Sequence, residues 1–183
     1  MSLRHGGILT TVASGLVLCA FASAQAQQYY DPPPTSQPRG CPQKGFLVTG
    51  TMAADKLNGS QKSDVILGRA GNDTLNGRRG HDCLYGGQGN DRLVGHAGDD
   101  RLVGGPGRDR LEGNSGADRI IGGRGRDRIR AGRGNDVVSA RDGVRDRIGC
   151  GAGRDRVSAD RADSVARDCE RVSRRQVGVL WQN

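Results

Sequence analysis

Aspartate recurs at an unbroken spacing of nine residues through the middle of the chain. The ten members of the series are Asp55, Asp64, Asp73, Asp82, Asp91, Asp100, Asp109, Asp118, Asp127 and Asp136. If the repeats stack, the carboxylates lie in rows, and like charges at strand-repeat distances repel one another unless cations lie between them. Carboxylates and the unpaired carbonyl groups of turns form an all-oxygen ligand set, which suits calcium better than zinc or copper. The spacing therefore predicts a series of calcium sites, whereas solvated acidic turns without metal would leave the strict period unexplained.

An aliphatic residue follows each of these aspartates by two positions, from Leu57 and Ile66 to Val138. Neighbouring residues of a strand point to opposite faces, so the aliphatic side chain would point inward and its two neighbours outward. We expect each unit of nine to form a six-residue turn ending in Asp and then a three-residue strand. One unit cannot bury its aliphatic residue alone, but stacked units can line a narrow core, as in a solenoid.

Glycine occupies two further fixed positions of the unit, where it permits positive φ and close approach of successive turns. We expect these glycines to place backbone near the calcium. They are Gly68, Gly77, Gly86, Gly95, Gly104, Gly113 and Gly122, which open their units, and Gly71, Gly80, Gly89, Gly98, Gly107, Gly116, Gly125 and Gly134, which lie two residues before Asp. Gly50 and Gly59 open the first two units, and Ala131 breaks the series. The block comprises ten units over residues 50–139.

The units resemble the calcium-binding nonapeptide GGxGxDxUx of repeats-in-toxin (RTX) proteins, most closely at residues 86–94 and 104–112. The resemblance implies an all-β protein, a right-handed parallel β-roll (β-solenoid) in which two nonapeptides make one coil. It also implies that calcium lies between a turn and the next turn on the same edge. Asp91 would then share ions with Asp73 and Asp109, and the chain would hold on the order of eight ions at most.

Several units depart from that pattern. The second glycine is replaced by Arg69, Arg78, His96 or Asn114, and the first two units lack glycine two residues before Asp. These departures make the corresponding sites doubtful.

The segments outside the repeats indicate secretion and capped ends. Residues 1–26 read as a Sec-type signal peptide, because a short apolar run precedes small-x-small cleavage signals. We predict that residues 27–45 form a proline-containing linker. The β-roll itself would occupy residues 46–139, beginning with a cap strand in which Val48 points inward and Phe46 covers the open end of the core.

After Ser139 the period slips by one residue and then returns with Asp146 and Asp155, which we add to the candidate calcium ligands. We assign residues 140–172 to a C-terminal cap of degenerate repeats and residues 173–183 to a tail. A disulfide between Cys150 and Cys169 would close this cap, with about 3 kcal/mol of stabilisation. Cys41 and Cys83 either form a second disulfide or leave Cys83 as a free thiol.

Arginine follows Asp directly in five consecutive units, at the outward positions Arg92, Arg101, Arg110, Arg119 and Arg128. Because alternate units stack, these residues would form two rows that repel themselves unless anions intervene. With a net charge of +8, the rows suggest a polyanion partner such as an acidic glycan, teichoic acid or nucleic acid, although solvated arginines would also satisfy the pattern. Six aromatic residues offer no platform for stacking nucleic-acid bases.

The sequence gives little support for catalysis. His81 and His96 fall at different places in the repeat, and no nucleophile elbow or Walker lysine accompanies the serines and glycine-rich strings. We therefore predict a secreted, monomeric, non-enzymatic calcium-binding β-roll that folds on calcium. The alternative is a surface adhesin-like module that binds polyanions through its arginine rows.

Overall fold

The computed structural model describes Cys41 and residues 45–175, and this part of the chain contains fifteen β-strands and no helix. The strands are β1 Leu47–Thr49, β2 Lys56–Asn58, β3 Val65–Ala70, β4 Thr74–Arg79, β5 Cys83–Gln88, β6 Arg92–Ala97, β7 Arg101–Pro106, β8 Arg110–Ser115, β9 Arg119–Arg124, β10 Arg128–Arg133, β11 Val137–Ala140, β12 Arg147–Ala152, β13 Arg156–Asp160, β14 Ser164–Val165 and β15 Arg171–Arg175. The predicted signal peptide, most of the linker and most of the tail lie outside the described residues. The described residues include no helix that could span a membrane.

The strands form two parallel sheets, one from the odd-numbered and one from the even-numbered strands. The eight-stranded sheet runs from β1 to β15, and the seven-stranded sheet runs from β2 to β14. Each strand pairs with the strand two places along the chain, so that Leu93 lies between Leu75 and Leu111 in register. The chain is therefore a parallel β-solenoid of about seven turns, which confirms the predicted fold class.

The core between the sheets contains one aliphatic side chain from each strand of the repeat. Burial of each such side chain contributes about 2 kcal/mol, and together these contacts hold the two sheets together. The fully buried members include Ile66, Leu75, Leu84, Leu93, Leu102, Leu111, Ile120, Ile129, Val138 and Val157.

The strands are longer than the three residues that the sequence suggested. Most contain six residues and continue through the opening glycine, which is buried on the inward face. In β5, for example, Gly86 is buried, and the following Gly87 still pairs with Arg69 of β3. Only three residues, from the glycine two positions before Asp to Asp itself, remain for the turn. The prediction of a six-residue turn was wrong because glycine here serves close packing within the strand instead of ending it.

The ends of the solenoid depart from the regular period. The one-residue slip after Ser139 appears in the pairing, where Ile129 lies opposite Ile148, 19 residues away. At the other end, Val48 packs against the core as predicted. Phe46 does not cover the opening, because 62% of its surface is exposed.

The described chain contains two disulfides. Cys150 bonds to Cys169, which confirms the predicted pair. Cys41 bonds to Cys83, which resolves the open alternative in favour of a second disulfide. Cys83 points outward from the eight-stranded sheet, yet only 1% of it is exposed, because it packs with Cys41, Val65 and Leu67.

Candidate metal centre

The aspartates of the repeat stand at the start of successive strands, in two rows along the solenoid. The seven-strand edge carries Asp55, Asp73, Asp91, Asp109, Asp127 and Asp146, each preceding a strand of the seven-stranded sheet. The eight-strand edge carries Asp64, Asp82, Asp100, Asp118, Asp136 and Asp155. Asp55 is partly exposed, whereas the other eleven are at most 2% exposed. The turns therefore direct a carboxyl group from every repeat into the protein.

One oxygen of each carboxyl group links successive coils. The backbone N–H of Asp73 donates to Oδ1 of Asp91, and the N–H of Asp91 donates to Oδ1 of Asp109, both at 2.8 Å. The same bond recurs on the other edge, where Asp82 donates to Asp100. Stacking therefore brings together the aspartates that, according to the RTX resemblance, would share a calcium ion.

The second carboxylate oxygen has no partner in most of the repeats. Oδ2 is buried and accepts no hydrogen bond in ten residues of the described chain: Asp73, Asp82, Asp91, Asp100, Asp109, Asp118, Asp127, Asp136, Asp146 and Asp155. A buried polar atom without a partner costs about 1–3 kcal/mol, and more if it is charged. Ten such atoms lie in two rows along the solenoid, and each would gain from a proton or a cation beside it.

Glycine provides the space around these oxygens. A Cβ atom on Gly86 would collide with Oδ2 of Asp91 and lie 2.7 Å from the carbonyl oxygen of Gly104. The glycines two residues before Asp stack equally closely, since a Cβ on Gly89 would overlap the carbonyl oxygen of Gly71 in the previous turn. A carboxylate oxygen and a backbone carbonyl oxygen of the next coil therefore lie close together at Gly86.

This donor set fits calcium. In the described residues, no three acidic, histidine or cysteine side chains converge on one point. A cation at the turns would therefore take one or two carboxylates and complete its shell with backbone carbonyls, which Ca²⁺ accepts readily and which suit zinc and copper poorly. When bound, the ion would supply positive charge to the unpaired oxygens.

Burial raises the pKa of the central aspartates. The pKa of Asp100 and of Asp109 is raised to about 8, mainly because burial disfavours the charged carboxylate and also because carboxylates of neighbouring coils lie nearby. Hydrogen bonds from the backbone only partly oppose this shift. Asp118 and Asp146 have a pKa of about 7 for the same principal reason. An adjacent cation would favour the charged form and reverse the shift.

The first two repeats satisfy their carboxylates without a cation. Oδ2 of Asp55 accepts hydrogen bonds from the backbone N–H and the hydroxyl of Thr51, at 2.6 and 2.9 Å. Ser60 donates to Asp64 in the same way. Burial raises the pKa of Asp64, but its hydrogen bonds from Phe46 and Ser60 outweigh burial and leave the pKa below its usual value.

Residues replacing the second glycine of the motif keep the backbone conformation of that glycine. Arg69, Arg78, His96 and Asn114 all adopt φ between 78 and 82°, in the left-handed region that glycine normally supplies. This backbone conformation costs each of the four residues about 1–2 kcal/mol more than it costs glycine. The departures therefore retain the backbone path, and Asp73, Asp82 and Asp100 keep the unpaired oxygens of the regular units.

At the C-terminal end, the structure adds acidic residues that the sequence interpretation missed. The Asp163 carboxylate accepts a hydrogen bond from the backbone N–H of Asp146, and the Glu170 carboxylate accepts one from the N–H of Asp155. Each of the two carboxylate rows therefore continues by one member. The signal was present, since Asp163 and Glu170 each precede an aliphatic residue by two positions. Asp160 has a different role, because its Oδ2 accepts from the N–H groups of Asp142 and Gly143 in the loop that absorbs the slip.

The predicted arginine rows form, but their surroundings differ. Arg92, Arg110 and Arg128 lie in register on the seven-stranded sheet. Glu112 binds two of them, at 3.1 Å from Arg92 and 2.7 Å from Arg110. Arg101 and Arg119 lie in register on the eight-stranded sheet.

Of the two histidines in the repeats, His81 lies in a turn and His96 in strand β6. Nδ1 of His81 accepts the backbone N–H of Asp99 at 2.8 Å, which joins two coils on the eight-strand edge. His96 occupies one of the left-handed positions. Both therefore have structural positions within the repeat.

Comparison with known families agrees with this geometry. The family model described as RTX calcium-binding nonapeptide repeat (4 copies) matches residues 49–83, 84–111 and 112–144. These segments cover more than half of the 183 residues and contain the turns from Asp55 to Asp136. A search of curated proteins found no match. With its nonapeptide period, its stacked turns and its buried carboxylate rows, the chain belongs to the RTX calcium-binding nonapeptide repeat family.

Proposed function

We propose that this protein is a secreted, non-enzymatic calcium-binding protein whose β-roll folds when Ca²⁺ binds between its stacked turns. The observation that carries the proposal is the series of ten buried Oδ2 atoms without a hydrogen-bond partner. Such atoms oppose folding unless something binds them, and a metal that binds only the folded chain contributes its binding free energy to folding.

The ligands would be the aspartates whose Oδ2 is unpaired, from Asp73 to Asp155, together with turn carbonyl groups. Asp55 and Asp64 would not require an ion, because Thr51 and Ser60 already donate to them. These two repeats would form without calcium and provide an end on which the later coils stack.

We expect affinities in the millimolar to high-micromolar range that is typical of extracellular modules. Arg108 and Arg126 occupy turns, and Arg78 lies near the end of β4. All three bring positive charge close to the proposed ions, which weakens cation binding.

Secretion is supported by the N-terminal sequence and by the two disulfides, which persist in oxidising compartments. A non-enzymatic role is supported by the repeat itself, since the same arrangement of a buried carboxyl group with an unpaired Oδ2 recurs in successive coils from Asp73 to Asp155. We propose that the protein is a monomer.

The test is a calcium titration of the purified full-length protein after chelator treatment, followed by far-UV circular dichroism with magnesium as a control. A cooperative gain of β signal with calcium is expected. Asp109→Asn should reduce the number of bound ions measured by calorimetry, whereas Asp55→Asn, whose carboxylate has protein donors, should not. A spectrum that is already fully β without calcium and remains unchanged on its addition would contradict the proposal.

The alternative function, a surface module that binds polyanions, receives unequal support from the two sheets. Glu112 neutralises part of the row on the seven-stranded sheet. Within the described residues, Arg101 and Arg119 have no such carboxylate on the eight-stranded sheet, and any polyanion site would be on that face.

A further inference from the structure

A groove follows the outer side of the eight-stranded sheet, next to its aspartate edge. Its first part has a volume of about 550 Å³ and is lined by Arg101, Arg119, Asn135 and Val137, among others. A second part of about 320 Å³ shares Asn135 and Val137 with the first and adds three arginines, Arg154, Arg156 and Arg171. The groove therefore extends across the sheet from β5 to β15.

The groove arginines form a row set by strand pairing. Arg101 pairs with Arg119, which is followed in register by Val137, Arg156 and Arg171. Adjacent strands lie about 4.8 Å apart. The row therefore consists of two pairs of neighbouring arginines with Val137 between the pairs. Such a row of like charges is unfavourable unless an anionic partner lies along it.

Among the described residues, these arginines have no carboxylate oxygen within 4.0 Å. The arginine ion pairs of this part of the chain join Glu112 to Arg92 and Arg110 on the opposite sheet. Five acidic residues line the groove. Asp99 is exposed, while Asp82, Asp100, Asp118 and Asp136 of the eight-strand edge are at most 2% exposed. Nε of Arg101 is buried and makes no hydrogen bond.

We propose that this groove binds a linear acidic polysaccharide, with Arg101, Arg119, Arg156 and Arg171 contacting successive sulfate or carboxylate groups. Guanidinium groups bind such oxyanions through paired, charge-assisted hydrogen bonds. Asn135 can in addition bond to sugar hydroxyl groups. The aromatic residues of the described chain, Phe46 and Tyr85, do not line the groove, so it offers no platform on which nucleic-acid bases would stack.

Calcium should strengthen this interaction. Asp82, Asp100 and Asp118 of the eight-strand edge also line the groove, so ions held there would add positive charge beside it. This dependence rests on the proposed calcium function. By thermodynamic linkage, the polysaccharide would raise calcium affinity by the same factor.

The test compares heparin oligosaccharide binding to the full-length protein and two double variants, in calcium buffer at low and physiological salt. Arg101→Gln with Arg119→Gln removes two groove charges. Arg92→Gln with Arg110→Gln removes the same charge from the opposite sheet. We expect the groove variant to lose about tenfold in affinity and the control variant less than about twofold. Equal losses, or no binding by the unmodified protein at low salt, would overturn the proposal.

Two further measurements separate the possible failures. Single-stranded DNA of equal charge should bind more weakly than heparin, and equally tight binding through the same arginines would refute the polysaccharide assignment. Circular dichroism and calcium titration of both double variants report on folding and metal binding. If these remain normal while the groove variant binds heparin fully, the groove proposal fails and the calcium function stands. If calcium neither binds nor changes folding, the comparison of the two double variants still decides the role of the groove.

Discussion

In calcium-free buffer, the folded chain should lose stability as the pH rises from about 5 to about 8. The cause is the pair of central carboxyl groups, Asp100 and Asp109, whose pKa in the folded protein is about 8. In the unfolded chain their pKa returns to about 3.9. The folded state therefore binds more protons than the unfolded state between these values, and the free energy of unfolding falls as the pH rises through this range.

The size of the effect follows from the two pKa values. At pH 7 the solution is about three units above the pKa of the unfolded carboxyl group but still below that of the folded one. Each of these units lowers the free energy of unfolding by about 1.4 kcal/mol. Each of the two residues then costs about 4 kcal/mol. Together they cost about 8 kcal/mol, which is within the 5–15 kcal/mol that stabilises a typical domain, so we expect the fold to require calcium or protonation.

The assay is urea unfolding followed by circular dichroism in chelator at pH 5, 6, 7 and 8. Asp100→Asn imitates the protonated carboxyl group and should raise the free energy of unfolding at pH 8 by about 2–4 kcal/mol. Asp64→Asn is the matched control and should lower it, because Ser60 would lose its carboxylate acceptor. Added calcium should remove the pH dependence for the unmodified protein.

Two results would refute this reasoning. One is a free energy of unfolding that stays constant or rises between pH 5 and 8 without calcium. The other is the same direction of change in Asp100→Asn and Asp64→Asn, which would mean that the two carboxyl groups have equivalent environments.

Further predictions concern packing and the caps. Gly86→Ala should destabilise the protein by about 1–3 kcal/mol, because the new methyl group would collide with Oδ2 of Asp91. Gly149→Ala should cost far less, because no atom lies within 4 Å of the position that its Cβ would take, and urea unfolding in calcium would compare the two variants. Replacing Cys150 and Cys169 by Ser should lower the free energy of unfolding by about 3 kcal/mol, measured by the same method, with an unchanged calcium requirement in the central turns.

The sequence was sufficient to predict the fold because the information was periodic. An aspartate every nine residues, with an aliphatic two positions later, determines which side chain faces inward in every coil. Pairing 18 residues apart then follows from two units per coil, and Leu93 lies between Leu75 and Leu111 as that period requires. Even the slip before Asp146 could be seen as one inserted residue.

The tertiary structure decided the features that the period does not encode. Cys83 was ambiguous because its face of the sheet is covered by Cys41, which lies outside the repeats. Strand length was misjudged because glycine in a solenoid permits close packing as well as turning. Likewise, nothing in the spacing showed that Thr51 would satisfy Asp55, although it lies only four residues away.

The difference between the two arginine rows also required the structure. The period places all five arginines identically, but a single glutamate, Glu112, neutralises part of its own row, while the other row has no carboxylate partner in the described part of the chain. A repeat determines where side chains lie relative to the coil, since that depends only on their offset within the unit. Whether a given charge or carboxylate oxygen is satisfied depends on individual non-repeating residues, and these meet only when the coils stack.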